Sequence, residues 1–122
     1  SLIKLFFMQQ DINYETLYKE FVNYLEEMNY KIYNYKRIGE LKVFHKNAWI
    51  TFKENNLREI IFSGNEHHIA KLKSIVKTFL EKKGILYCYT DISKSRMRLG
   101  TDEVKQMSEE EILDLFKNAF GS

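Results

Sequence analysis

The chain predicts an α+β fold: a curved antiparallel sheet with long helices packed on one face. Three observations carry that expectation. Residues 31–62 hold four short segments in which apolar and polar residues alternate, separated by turn residues. Residues 66–83 then carry apolar residues at helical spacing and end at Gly84. Two further helical patterns, over about 14–29 and after Ser108, flank this run. No linker or repeat divides residues 1–122, so a single domain is expected.

The expected element order is β-α-β-β-β-β-α-β-α. Residues 2–8 (LIKLFFM) read as a first strand, with Lys4 the only charge. This stretch is too short to cross a bilayer and lacks a basic leader. Asp11 and Asn13 are candidate N-caps for the first helix. There, Leu17, Phe21, Leu25 and Met28 recur at steps of four, four and three, forming one apolar face.

The second strand is expected over 31–38, with Tyr33, Tyr35 and Arg37 alternating with Ile32, Asn34, Lys36 and Ile38. Gly39 marks a turn. A third strand over 40–46 sets Leu41, Val43 and His45 against Lys42, Phe44 and Lys46. Asn47 turns the chain again. The fourth, over 48–53, sets Ala48, Ile50 and Phe52 against Trp49 and Thr51. After the polar loop Glu54-Asn55-Asn56, residues 57–62 make a fifth.

Asn65 caps the long helix, whose apolar set is Ile69, Leu72, Val76, Phe79 and Leu80, and whose other faces are rich in lysine. Residues 85–90 (ILYCYT) form a sixth strand, and SKSRMRLG is either a seventh short strand or a basic loop. Ser108 with Glu111 is a capping box opening the last helix. Residues 85–122 thus add a strand and a helix to a core over 2–84.

Composition narrows the function classes. Hydrophobic residues at 44% and charged residues at 30% suit a globular domain and not a disordered one. A net charge of +2 does not by itself argue for nucleic acid. The distribution is uneven, however: residues 31–46 and 71–98 are basic, while Glu109, Glu110 and Glu111 cluster in a first helical turn. The single cysteine, Cys88, cannot form an internal disulfide, which points to a reducing, cytoplasmic setting.

No constellation signals catalysis, a metal or a cofactor. Adjacent His67 and His68 point about 100° apart on a helix, so they do not form a chelating pair. Cys88 lies between two tyrosines in a strand, where a buried thiol is the ordinary outcome. The 5 glycines are scattered and make no phosphate loop. An enzyme would need a site assembled from residues such as His45, Asp91 and Arg96, whose spacing is uninformative. The expectation is therefore a non-enzymatic domain without a cofactor.

The interleaving of aromatic and basic residues carries more information. Tyr33, Tyr35 and Arg37 share a strand face, Phe44 lies between Lys42 and Lys46, and Trp49 follows. Lys94, Arg96 and Arg98 alternate. Sheet platforms for nucleic acid use this mixture, with aromatics on bases and cations on phosphates. The competing reading places the aromatics under the helices and leaves the lysines as a solvated face.

These residues also resemble a family. The segments YNYKRI, AWITF and IIFSGNEHHIAKLKSIVKTFLEKKG are similar to one repeat of the TATA-binding protein family, over about residues 2–84. Tyr33-Asn34-Tyr35-Lys36-Arg37-Ile38 resembles its YNPKRF-like segment, with Tyr35 in place of Pro. Phe52 falls in its second signature strand, and Ser63-Gly64-Asn65 resembles its turn into the last helix. The resemblance implies base-wedging positions near Ile38 and Phe52. The family's saddle takes two repeats and this chain has one, so a homodimer would be needed to rebuild it. Single repeats of this fold also serve as accessory substrate-binding domains, as in some ribonucleases H. IKLFFM and AWITF are similar to the aromatic strands of RNA-recognition motifs, but the extra strand 57–62 breaks that topology.

The expected function is nucleic-acid binding, or a role in transcription, through an open sheet face. That face draws on Tyr33, Tyr35, Arg37, Ile38, Lys42, Phe44, Trp49 and Phe52, with Arg96 and Arg98 alongside. DNA and RNA both fit. A one-residue register slip exchanges Tyr33/Tyr35 for Lys36/Ile38, so both faces stay open at this point. The alternative is a protein-interaction or assembly module, such as a dimerisation domain or a viral or phage-type inhibitor, using the same face.

Overall fold

The computed structural model describes residues 12–100 and 109–119. The expected strand over 2–8, the Asp11 cap and the Ser108 capping box lie outside the described residues. The rest forms an open six-stranded antiparallel sheet with helices.

Helix α1 spans Tyr14–Glu27. The Asn13 side chain accepts the Thr16 backbone N–H at 3.1 Å and so satisfies one of the donors that a helix start leaves open. Leu17, Phe21 and Leu25 are buried, while Met28 falls beyond the last turn and is exposed. The sheet then meanders through β1 (Lys31–Tyr35), β2 (Glu40–His45), β3 (Ala48–Lys53) and β4 (Asn56–Gly64). Helix α2 (Glu66–Lys83) begins at Asn65, whose side chain accepts from His67 and His68 backbone N–H groups. It ends at Gly84, which takes the left-handed conformation at φ 67°.

After α2 the order departs from expectation in one respect. Strand β5 is short (Tyr87–Tyr89), and Arg96–Leu99 forms an additional strand, β6. The chain skips a place to lay β5 at the sheet edge, then returns to insert β6 against β4, giving the order β1-β2-β3-β4-β6-β5. Asp91 drives the reversal: it accepts the Ser95 and Arg96 backbone N–H groups, each at 3.0 Å, which closes the turn that launches β6. Helix α3 (Glu109–Ala119) contacts α2.

A second departure affects the candidate site. The strand expected over 31–38 ends at Tyr35, and Lys36–Ile38 turn into a short 3₁₀ segment closed by Gly39 at φ 64°. Gly64 is required by packing as well as conformation. It sits at φ 105°, and a Cβ there would run into the Asn47 carbonyl of the β2–β3 turn.

One sheet face and both long helices build the core. Val43, Ile50, Phe52, Ile60, Phe62 and Met97 meet Leu17, Phe21, Leu25, Leu72, Val76 and Phe79. Phe21 is the hub, with its ring 4.7 Å from that of Phe79 and 5.6 Å from that of Phe52. Burying such a side chain contributes about 1.5–3 kcal/mol. This packing settles the register, because a slip by one residue would place Trp49 and Thr51 in the core and Ile50 in solvent.

Candidate nucleic-acid interface

The face turned away from the helices is set by the pairing partners. Tyr33 lies opposite Lys42, and Lys42 opposite Thr51. Thr51 lies opposite Ile61, and Ile61 opposite Arg96. Parallel rows place Lys31 with Phe44, Trp49 and Ser63, and Tyr35 with Glu40 and Lys53. Glu59 pairs with Arg98, and Arg98 with Cys88. Among the described residues no helix covers this face.

Its β1–β3 half is aromatic. Tyr33 and Tyr35 are 48% and 41% exposed, and their rings stand 6.4 Å apart. The Tyr33 ring meets Phe44 edge-on at 5.4 Å, and Phe44 lies 5.7 Å from Trp49. Lys42 rises through the middle, with its ammonium 5.6 Å from the Tyr35 ring centroid and 5.9 Å from that of Trp49. The four rings therefore form a continuous shelf with a cation in its centre. The outer two are accessible and the inner two are half-buried supports.

The β4–β6 half is basic with partial compensation. Arg96 pairs with Glu59 at 3.1 Å, and Arg98 projects from the same side of β6. Lys42 is 3.9 Å from Glu40. Among the described residues of the face, Lys31, Lys42, Lys53, Arg96 and Arg98 outnumber Glu40 and Glu59.

The structure gathers Tyr33, Tyr35, Lys42, Phe44, Trp49, Arg96 and Arg98 on one face. It separates three other expected residues from them. Phe52 is 3% exposed and points at the helices, where its ring meets Tyr18 and Phe21 edge-on. It is a core residue, because Phe52 falls on the same strand side as Ala48 and Ile50. Arg37 and Ile38 are exposed, but they lie on the 3₁₀ turn at the end of the edge strand and not on the strand face. Ile38, at 62% exposed, is an apolar corner beside the shelf.

Lys31 and Lys53 were not singled out by sequence, although strict alternation from Tyr33 and from Trp49 places both on this face. Three histidines also converge at the opposite end of β2. The His68 ring stands 5.6 Å from that of His45 and 5.3 Å from that of His67. Its Nδ1 is hydrogen-bonded to the Asn47 side chain. Desolvation, with Lys46 and the other two histidines, holds the His68 pKa below its usual value. Among the described residues, no group of His, Cys, Asp or Glu is arranged to hold a metal ion. No described helix is long and apolar enough to cross a membrane.

Comparisons with protein-family models, with curated proteins and with solved structures returned no match.

Proposed function

We propose that the chain binds nucleic acid, in its single-stranded form, on the open sheet face. The observation that carries this reading is the accessible pair Tyr33 and Tyr35 on a supporting layer of Phe44 and Trp49, threaded by Lys42. Exposed rings of this kind stack on bases, each stacked base contributing about 1–3 kcal/mol irrespective of sequence. Lys31, Lys42, Lys53, Arg96 and Arg98 supply phosphate contacts, which makes binding salt-dependent. Single strands suit the geometry, because their bases are free to lie flat on an open face. The resemblance to a TATA-binding protein repeat supports a sheet-face binding mode, but Phe52, one of its two implied wedging positions, is buried here.

A panel of labelled single- and double-stranded DNA and RNA at two salt concentrations tests the proposal. Binding at micromolar concentration or tighter that weakens steeply with salt and falls in Tyr33→Ala supports it. No binding at low salt overturns it.

One observation favours a second reading, assembly through a second copy. Among the described strands β1 is the sheet edge, with two exposed tyrosines and Ile38 beside it. Pairing of β1 with another β1 would produce a dimer with a doubled aromatic shelf. Sedimentation of Tyr33→Lys alongside the parent chain distinguishes this reading, because a charge on the edge strand would dissociate such a dimer.

A further inference from the structure

Three lysine ammonium groups surround one tyrosine ring on the opposite side of the sheet from the aromatic shelf. Lys73 and Lys77 sit one helical turn apart on α2, and Lys94 sits in the β5–β6 turn. Their Nζ atoms lie 5.3, 5.7 and 6.0 Å from the centroid of the Tyr89 ring. Each lysine reaches Tyr89 from a different chain position, and Lys94 does so from a left-handed backbone conformation at φ 57°. Of the three, Lys73 also lines a cleft of about 390 Å³ between α2 and that turn, together with Ser63, Glu66, Ser93 and Ser95.

The positive charge there is only partly offset by acids among the described residues. Among the described residues, no ion pair joins Lys73, Lys77 or Lys94 to a carboxylate. Asp91 acts on Lys73, with both of its oxygens engaged within its own turn by the Ser93 and Ser95 hydroxyls and the Ser95 and Arg96 backbone N–H groups. Glu66 also acts on Lys73 from the helix start. Burial, then Lys77, then Lys94 hold the Lys73 pKa below its usual value, against the pull of those two acids. A cluster of this kind gains most from a compact multivalent anion, which relieves the mutual repulsion of all three cations at once.

We propose that Lys73, Lys77 and Lys94, gathered around Tyr89, form a binding site for a phosphate group. The phosphate belongs either to a free inorganic anion or to a nucleic-acid strand leaving the sheet over the β5 edge, past Arg96. The site stands on its own geometry, and only the strand source rests on the proposed binding at the aromatic shelf.

The test is an NMR titration of the full chain with inorganic phosphate, with pyrophosphate, and with an oligonucleotide carrying or lacking a 5′-phosphate. Amide shifts are followed at residues 73–77 and 91–96. Saturable shifts there are expected, with affinity reduced at least about tenfold in the Lys73→Gln/Lys77→Gln variant. A charge-matched Lys71→Gln/Lys82→Gln variant, on exposed positions of the same helix, is expected to bind as the parent does. Saturation by the inorganic anions identifies a free-anion site, and saturation only by the oligonucleotides identifies a strand contact. Non-saturating shifts with every probe, or equal binding by both variants, overturns the proposal. Loss of shelf binding alone would show in Tyr33→Ala and leave the shifts caused by phosphate and pyrophosphate intact, so the two ideas fail separately.

Discussion

Phe44 and Trp49 are direct partners across the β2–β3 hairpin, with ring centroids 5.7 Å apart on the face turned away from the helices. Cross-strand aromatic pairs stabilise a hairpin and at the same time stiffen what lies on them. Here they hold up Tyr33 and Tyr35, whose exposed rings are the first groups a ligand would meet. Support and contact are therefore separable by mutation.

Tyr33→Ala and Tyr35→Ala are each expected to weaken oligonucleotide binding by about 1–3 kcal/mol, or roughly 5- to 150-fold. Both side chains are exposed, so thermal stability should change little. Fluorescence anisotropy paired with a melting curve checks both halves of this prediction. Unchanged affinity in the double variant would remove the shelf from the account.

Phe52→Ala is expected to behave in the opposite way. Its ring contacts Tyr18 and Phe21 in the core, so truncation should cost about 3–5 kcal/mol of stability. Urea denaturation measures this. A loss below about 1 kcal/mol would contradict the placement of Phe52 among the core residues.

The phosphate-contacting cations predict a salt signature. Lys31→Gln and Arg98→Gln should each reduce the slope of log affinity against log salt by about 1, and weaken binding to all sequences alike. Sequence-selective losses would indicate that these side chains read base edges instead.

The Asp91 turn predicts an acid-limb effect. Hydrogen bonds from Ser93 and Ser95, joined by the Arg96 and Ser95 backbone N–H groups, lower the Asp91 pKa to about 2. The folded state thus binds its proton more weakly than the unfolded chain does. The stabilisation is fully present above the usual carboxylate value and is lost as pH falls through about 2. Urea melts between pH 5 and pH 2 should show the parent converging on Asp91→Asn. A constant difference between the two would contradict the linkage.

His68 predicts a second, milder dependence. Desolvation leads the causes that lower its pKa from 6.5, followed by Lys46, His67 and His45. The stabilisation is present above 6.5 and is lost as pH falls through the lowered folded value. His68→Gln should flatten that limb in thermal melts. An unchanged slope would show that another group sets it.

The helices were legible because their signals are local. Asn13 and Asn65 cap them, Gly84 ends the second, and apolar steps of three and four mark the buried faces. The face of the sheet was not legible, because Tyr33/Tyr35 and Ile32/Asn34 alternate with equal regularity. Only the fit of Val43, Ile50 and Phe52 against Phe21 and Phe79 selects one side. SKSRMRLG stays open between a strand and a basic loop in the sequence for a related reason, and the structure makes it strand β6. It has four residues, two of them arginine, and its pairing partner β4 lies more than 30 residues earlier in the chain. Alternation continues through Arg37 and Ile38 and so predicts a strand there, whereas Gly39 draws the preceding three residues into a 3₁₀ turn. The lysine cluster around Tyr89 depends on β5 reaching the sheet edge beside α2, which no local pattern encodes.

Trp49 is the single tryptophan and lies within the shelf, so its fluorescence reports the central claim directly. Titration with a short single-stranded oligonucleotide at low salt should quench or shift that emission saturably, at micromolar concentration or tighter, and the change should reverse on raising the salt. Emission that stays constant at low salt, while the chain remains folded, would contradict nucleic-acid binding on this face.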